Sequence, residues 1–569
     1  MSEDATVPVL IVGAGPAGLA AALTLRKNGI PVRVIEKEPR ARVGQRGAGI
    51  MPRSQELFKI LGVIDDICVK AIGLVPMRMY KLPEGIEPIT TFALDPTVAP
   101  TPSAPYSNVI MLGQNHSEEI LRDHLKHLGC EVELGTTLYS IQSDGDHVQA
   151  HVLKKAGDDE IVETIKCRWL IGTDGARGAV RKQLGLAFDG ETFGVTHHLV
   201  VGDLHIKGLD KKHWHYWGDL DTILVMLRAT EDEDVYFLFI GGQVDHAKIV
   251  AERAELERML KVGTGRTDLE IGAVRFISEY KPHVRMAETF RKGRVFVAGD
   301  AAHIHTPFGG QGLNSSVQDA VNLGWKLSLI EKGVATPSLL DSYTEERLPV
   351  ITHMLRMSTK LFNDAAHVKA DGTGGETAWH RGGEIHMLGV NCRWSSIIVD
   401  ERTPKEATPV DPYGVTRFCT DAVRAGERAP DAPGLVVLGA AADSTNGAQK
   451  TSLFNIFASS YHTVLIFGDG TSKAGRILSV LQAYPAELLR MVLVHTERLT
   501  SSIPGGGYLS VLDRDGHAHE GYQVQKDEFI VVIVRPDGVI GGIVRDTEGA
   551  KQYFARVFNA LADQPLPTL

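Results

Sequence analysis

Along the first forty residues the hydrophobic pattern changes period twice. An apolar run at 7–12 leads into a glycine-rich turn, an alanine- and leucine-rich stretch at 17–27 with helical spacing, the stop Asn28-Gly29, and a second apolar run at 32–35. Short apolar runs bounded by turn residues read as buried strands, and the 3.6-residue period between them reads as their connecting helix. The pattern predicts a βαβ unit. Helical spacing returns at 57–69 and 117–128, whereas the proline-dotted 75–105 reads as an irregular excursion. Strand-like runs at 132–141, 148–153 and 161–171 bring the sheet back just before Gly172-Thr173-Asp174-Gly175.

Between 188 and 280 the runs 199–205, 222–227 and 235–240 suit a second, largely antiparallel sheet with one face open to a ligand. A strand at 295–298 and a helical pattern from 312 to 362 then return the chain to its first unit. That unit is expected to be discontinuous, comprising 1–187 and 281–365 around a ligand-binding β-sheet domain at 188–280. Gly, Pro and charge crowd 366–413, which reads as a loosely structured linker. Runs at 436–439, 464–467 and 529–534, the last ending in Arg535-Pro536-Asp537-Gly538, predict a smaller α/β unit over 414–569.

Composition narrows the function classes. The 569 residues are 43% hydrophobic and 23% charged, as in an ordinary globular protein of two or three domains. A formal net charge of -10 without any basic run argues against a nucleic-acid partner. Cys68, Cys130, Cys167, Cys392 and Cys419 are isolated and odd in number, so neither a metal site nor a disulfide framework is expected, and a reducing compartment fits. No basic leader precedes 7–12 and no apolar run reaches about 18 residues. The expectation is a soluble, cytoplasmic protein with no membrane span.

Gly13-Ala14-Gly15-Pro16-Ala17-Gly18 lies between the first strand and helix. Glycines at this spacing allow a tight turn, close approach of a pyrophosphate and close helix–strand packing, while the helix N-terminus attracts the phosphates. Glu36, with Lys37 beside it, ends the second strand, near the offset at which an acid accepts from ribose hydroxyls. The turn alone does not separate FAD from a nicotinamide dinucleotide.

A second motif does. Gly293-Arg294-Val295-Phe296-Val297-Ala298-Gly299-Asp300-Ala301-Ala302-His303, continued by Pro307-Phe308-Gly309-Gly310-Gln311-Gly312-Leu313-Asn314, resembles the second flavin motif of the class A flavoprotein monooxygenases. The resemblance implies that Asp300 bonds the ribityl chain and that the loop carrying Pro307, Gly310, Gly312, Leu313 and Asn314 lies against the flavin's pyrimidine edge. Gly172-Thr173-Asp174-Gly175-Ala176-Arg177 is similar to the family's third motif, giving Asp174 a flavin role; many members continue with serine where this chain has Gly178. Arg46 heads a stretch resembling one that lies along the flavin, and Gln114 with Glu118 resembles a helix start that touches the ribityl chain. The resemblance spans about 8–348. Segments 425–431 and 532–538 are similar to the thioredoxin-like domain of the phenol hydroxylase branch, but hold no cysteine pair. A packing or dimer-supporting role fits them better than thiol exchange.

The implied fold is therefore α/β: a discontinuous Rossmann-type FAD-binding domain, a β-rich substrate domain and a C-terminal thioredoxin-like domain. The implied reaction is hydroxylation of a phenolic substrate through a C4a-hydroperoxyflavin, with NADPH or NADH as transient donor and O2 as co-substrate. Decarboxylating hydroxylation, epoxidation and Baeyer–Villiger insertion share that apparatus and stay open. Related enzymes are often dimers, so a homodimer is one expectation. Rivals are a flavin reductase on the same scaffold and a GDI-like binding protein that has lost flavin. For the pocket, the run His213-Trp214-His215-Tyr216-Trp217 and the later Tyr236-Phe237 stand out. His215 and Tyr236 are the catalytic candidates, and Trp217 and Phe237 the substrate-facing ones, with core packing as the competing reading. Alternation puts His213, His215 and Trp217 on one side and Trp214 and Tyr216 on the other. Ala48 stands where phenol hydroxylases often carry an acid, which argues against simple phenol. His303 and His305 read as structural hydrogen-bonding residues.

Overall fold

The computed structural model describes residues 6–156, 159–194, 198–379, 383–414, 423–438, 449–468, 471–497 and 506–559. Val7–Val12 lies between two parallel neighbours, Val32–Ile35 and the end of Asp159–Gly172. Val295–Val297, more than a hundred residues later, adds parallel to Asp159–Gly172 on its other side. The first sheet is thus closed by a strand from beyond the middle sheet, as the returning apolar pattern led one to expect. An antiparallel arm, Thr136–Ser143 and Val148–Ala156, extends from the first half of Asp159–Gly172. Helices Pro16–Lys27 and Gln311–Glu331 pack so tightly that a Cβ placed on Gly324 would lie 2.7 Å from the Thr24 side chain.

Among the described residues the middle sheet has seven strands and recruits sequence from outside 188–280. Met77–Tyr80 runs parallel to Trp214–Gly218, and Pro88–Phe92 pairs antiparallel with Met77–Tyr80. The expected irregular excursion at 75–105 is corrected accordingly. Its prolines flank short strands whose Met77, Met79, Tyr80 and Phe92 are buried, and runs this short are masked by the breakers around them.

Among the described residues the C-terminal unit forms a mixed eight-stranded sheet. His462–Phe467 pairs parallel with Leu489–His495 on one side and antiparallel with Ile530–Val534 on the other. Its edge strand, Val399–Asp400, pairs with Ile540–Val544 and comes from the supposed linker. There too the expectation is corrected: Trp394, Ile397, Ile398 and Val399 are buried, and Trp394 donates to the Glu345 carbonyl at 2.8 Å. Ile397 and Val399 cluster with Trp325, Leu329 and Tyr553 and Phe554 of the helix Thr547–Val557, an apolar surface that the local sequence does not reveal. Cys419 lies outside the described residues; Cys68, Cys130, Cys167 and Cys392 are free thiols. Among the described residues no helix is long and apolar enough to cross a membrane, and no cluster of side chains could hold a metal ion.

Candidate flavin crevice and aromatic face

Each glycine of the first turn meets a different demand. Gly13 has φ +103°, and a Cβ there would fall 2.4 Å from the Thr173 carbonyl oxygen. A Cβ on Gly18 would fall 2.0 Å from the Gly13 carbonyl oxygen, so the helix lies directly on the turn. Gly15 faces open space, with nothing within 4 Å of such a Cβ. That opening lies at the N-terminus of Pro16–Lys27, where first-turn amides lack intrahelical acceptors, and it fits a pyrophosphate. The Ala14 N–H donates to Glu36 Oε2 at 2.9 Å, fixing the acid beside the turn. Lys37, by contrast, is exposed and lies 3.9 Å from Glu38.

Asp300 follows Val295–Val297 on the tight turn Gly299–Ala301. Desolvation pushes its carboxyl up against the pull of His303, Arg42 and Arg46, yet the residue is solvent-accessible. A carboxyl both deep and accessible lines a crevice. Beneath it, Asp319 accepts from His303 Nε2 at 2.7 Å, Arg347 Nε at 2.8 Å and the Gly299 N–H at 3.2 Å. Burial would raise the Asp319 carboxyl, but Arg347 and His303 outweigh it and hold it below its usual range. His303 is therefore a structural partner of the turn.

Gly310, at φ +63°, starts the helix Gln311–Glu331, so the amides of Gln311, Gly312 and Leu313 point outward without intrahelical acceptors. Asn314 staples this loop to its neighbour: Oδ1 accepts from the Met51 N–H at 2.8 Å, and Nδ2 donates to the Gly49 and Gly310 carbonyls. Its side chain is committed, leaving only its backbone for a ligand. A Cβ on Gly47 would lie 3.7 Å from Gln114 Oε1 and 3.9 Å from Leu313 Cβ, which brings three predicted flavin segments together. Gln114 Nε2 donates to Glu118 Oε1 at 2.8 Å. Arg46 has φ +41° and its guanidinium lies 5.1 Å above the Phe276 ring. Pro307 stands exposed on the loop. Arg42, which sequence reasoning missed, is close enough to act on Asp300, Glu118 and Arg46.

Asp174 Oδ2 accepts from the Val180 N–H at 3.0 Å. A Cβ on Gly178 would collide with that carboxyl at 2.2 Å, so glycine there is coupled to the way Asp174 turns toward its own helix. Arg181 ties this motif to the second one by donating to the Ala301 carbonyl at 3.2 Å. The donor and acceptor set as a whole fits FAD: an open glycine cradle, a ribose-side acid, and an accessible carboxyl beside a helix N-terminus.

The middle sheet's two faces differ. Phe276, Asp203, Phe237, Arg228, Trp214 and Met77 stand opposite one another across successive strands, hence on one face. The next row on that face includes Phe239 and Tyr216, and Phe239 packs edge-on against Phe308 of the flavin loop with ring centres 6.4 Å apart. His215, Trp217 and Tyr236 occupy the reverse face. Trp217 and Tyr236 pack there with Ile249, Leu256 and Met259 of the covering helices. His215 lies between the Tyr80 hydroxyl at 2.7 Å and the Asp210 carbonyl at 2.9 Å; Trp217 Nε1 donates to the Gly85 carbonyl and the Tyr236 hydroxyl to that of Leu209. The structure therefore withdraws these three from the crevice side, because each polar tip is already used in a packed layer. Only Phe237 of the four pocket candidates faces the flavin loop. Phe276, Asp203, Arg228 and Gln45 were missed; Trp214 was named in the aromatic run, but alternation set it opposite His215 and nothing local said which side mattered.

A family model for an FAD-binding domain matches residues 6–358. The chain is 31% identical to a flavin-dependent monooxygenase of Mycobacteroides abscessus, over 96% of this chain and 99% of the relative. It is 32% identical to pentachlorophenol 4-monooxygenase of Sphingobium chlorophenolicum, over 62% of this chain and 64% of that protein. In fold it is similar to the flavin-dependent monooxygenase PieE, solved with FAD and substrate, with a TM-score of 0.78 at 22% identity over 98% of this chain and 100% of the other. Aklavinone-11 hydroxylase, solved with FAD and aklavinone, gives 0.75 at 23% identity over 98% and 99%. The reductase and binding-protein rivals are set aside. The chain belongs to the class A family of FAD-dependent aromatic-ring monooxygenases.

Proposed function

We propose that this enzyme hydroxylates a phenol-like ring held against the Phe237 face of the middle sheet, using O2 and a transiently docked NADPH or NADH. The observation that carries the reading is the cross-strand row of Phe276, Phe237 and Trp214 around the buried Arg228, on the face that meets Phe308. Bound FAD supplies the electron transfer and oxygen activation. The turn Gly13–Gly18 with Ala17 in its helix would hold the pyrophosphate, Glu36 the ribose, and Asp300 and Gln114 the ribityl chain. The outward amides of Gly312 and Leu313, with Arg46, would face the ring, and a helix N-terminus there stabilises negative charge at its pyrimidine edge. Met226, Tyr216 and Phe239 are buried beside that position and keep it dry.

Arg228 contributes the polar requirement. Its guanidinium lies 5.5 Å from the Trp214 ring centre and 5.8 Å from that of Phe237. Burial pushes it down to about 10, against Glu231 and Asp203, so it stays charged at neutral pH. A cation there favours the phenolate form of a ring seated on those aromatics. The C-terminal unit, with its parallel pair at the centre and helices Thr471–Leu481 and Thr547–Val557, reads as a thioredoxin-like domain kept for packing.

The test is NADPH and NADH oxidation by the purified protein with a phenol panel running from pentachlorophenol to aklavinone, compounds that occur in the relatives' names. Oxygen uptake, peroxide and product mass are recorded. One phenol should stimulate turnover and take up one oxygen atom, with chloride released where the carbon attacked bears chlorine. Turnover without oxygen uptake would sink the reading. Asp300→Ala should lose FAD while the C-terminal unit stays folded; normal flavin content in that variant would remove Asp300 from the site.

A further inference from the structure

Segment 44–47 lies where the middle sheet meets the flavin crevice, and its hydrogen bonds run both ways. The Gln45 N–H donates to Asp203 Oδ2 at 2.6 Å. Its side-chain amide donates to both Glu231 oxygens at 2.9 Å and accepts from Arg228 Nη2 at 3.1 Å. Its carbonyl accepts from the Gln114 N–H at 3.0 Å, and Glu231 also accepts from the Gly113 N–H at 2.8 Å. Gln45 thus joins three residues of the sheet unit to the start of the helix Gln114–His127, and Arg46 comes next. Arg46 sits in the left-handed region at φ +41°, which a non-glycine residue holds only where its surroundings impose it. Gly44, at φ +107°, clears the way: a Cβ there would fall 2.9 Å from the Phe276 ring and 3.2 Å from Asp203 Oδ2.

We propose that Asp203 and Gln45 are positioning residues that hold Arg46 in its strained conformation beside the flavin crevice, so that the cofactor's grip depends on the substrate-side sheet. This rests on reading Arg46 as a flavin contact. Asp203 also has a feature that a closed structural carboxylate lacks, since its Oδ1 is buried without a partner. Desolvation pushes its carboxyl up to about 6; Glu231 adds to the rise, and the Gln45 N–H, Arg228 and Arg275 oppose it. Arg46 faces it as well. Ionised, Asp203 is a strong acceptor for the Gln45 N–H. Protonated, it becomes a weaker acceptor, and its new O–H faces three arginines and one carboxylate already bonded elsewhere. The grip should therefore weaken as pH falls through about 6. Asparagine has the same shape and a carbonyl acceptor but no charge, so Asp203→Asn should behave at every pH as the wild type does in acid.

The experiment is FAD titration of the apoprotein, followed by flavin fluorescence from pH 5 to 8, for wild type, D203N, R46A and the double variant. Wild type should bind about tenfold tighter at pH 8 than at pH 5, the scale of a charge-assisted over a neutral hydrogen bond. D203N should be flat at the acid level, and the double variant no weaker than R46A, because residues acting through one contact are not additive. A D203N profile that still follows the wild type, or additive losses, would overturn the proposal while leaving Arg46 a flavin contact. Unchanged affinity in R46A would instead remove the reading beneath it. Should D203N fail to fold, R46A decides alone: it must lose the pH dependence.

Discussion

Two clusters of buried charge flank the flavin helices, and they are built on opposite plans. At the junction with the C-terminal unit, Glu346 accepts from Arg535 at 2.8 and 2.9 Å, from Lys326 at 2.9 Å, from Asn322 at 2.6 Å and from Ser395 at 2.7 Å. Asp537 pairs with Arg535 and accepts from Trp325 Nε1 at 3.0 Å, and its carbonyl accepts from Arg53. Burial would raise the Glu346 carboxyl, but Arg535 and Lys326 outweigh it and hold it far below the usual carboxylate range. Around Asp203 the same residue types leave Asp203 Oδ1 and Arg228 Nε without partners, with the carboxyl pushed up and the guanidinium down. A satisfied network specifies how parts assemble; an open one beside a crevice keeps polar groups poised.

The largest effect that could break this contrast is at the closed cluster. Arg535→Met strands Glu346 and Asp537 with fewer cations and should cost about 3–5 kcal/mol in urea unfolding; a loss below about 1 kcal/mol would show that the junction is not a closed network. Glu346 titrates lower in the fold than in the unfolded chain, so its contribution is present above the unfolded value and is lost only as pH falls through the much lower folded one. Between pH 5 and 8 Glu346 should therefore add no pH dependence of its own; His462, buried against Trp325 and pushed by burial down to about 3, is the junction group that costs stability as pH falls below its ordinary 6.5.

Asp203 runs the other way. Its ordinary value of 3.8 rises to about 6 in the fold, so the native state keeps a proton that the unfolded chain has released, and stability falls as pH rises from about 4 to 6. Asp203→Asn should therefore gain up to about 2–3 kcal/mol over wild type at pH 8 and little at pH 4. Thermal melts at both values check it. A variant less stable at pH 8 would make the two clusters alike.

How much of this was legible in the sequence follows from how local each signal is. The glycine requirement of the turn at Gly13–Gly18 could be read directly, since a backbone that passes 2.4 Å from another residue's would-be Cβ admits only glycine. The open cluster could not: Gln45 meets residues 158 and 183 positions away. Arg535-Pro536-Asp537-Gly538 showed as a turn, but its docking against Glu346, 189 residues earlier in the chain, did not. The strands at 77–92 and the buried Trp394, Ile397, Ile398 and Val399 were hidden because their short apolar runs owe their burial to partners far along the chain.

The smallest effect concerns the two faces of the middle sheet, where the aromatic run at 213–217 offered both sides equally. The open cluster predicts that function lies on its own side. Trp217→Phe removes a buried ring edge and the bond from Nε1 to the Gly85 carbonyl, so it should cost about 1–2 kcal/mol of stability and leave KM for the phenol unchanged. Phe237, half-buried beside Arg228, should do the reverse. Phe237→Ala opens the platform on which the ring rests, raising KM roughly tenfold and diverting NAD(P)H oxidation to peroxide, with little change in melting temperature. The ratio of the two readouts separates the faces even if both variants are modestly unstable, because a loss of folded protein lowers kcat and leaves KM alone. If Trp217→Phe moved KM and Phe237→Ala did not, the substrate would lie among the covering helices, and the cluster at Asp203 would be a second structural node.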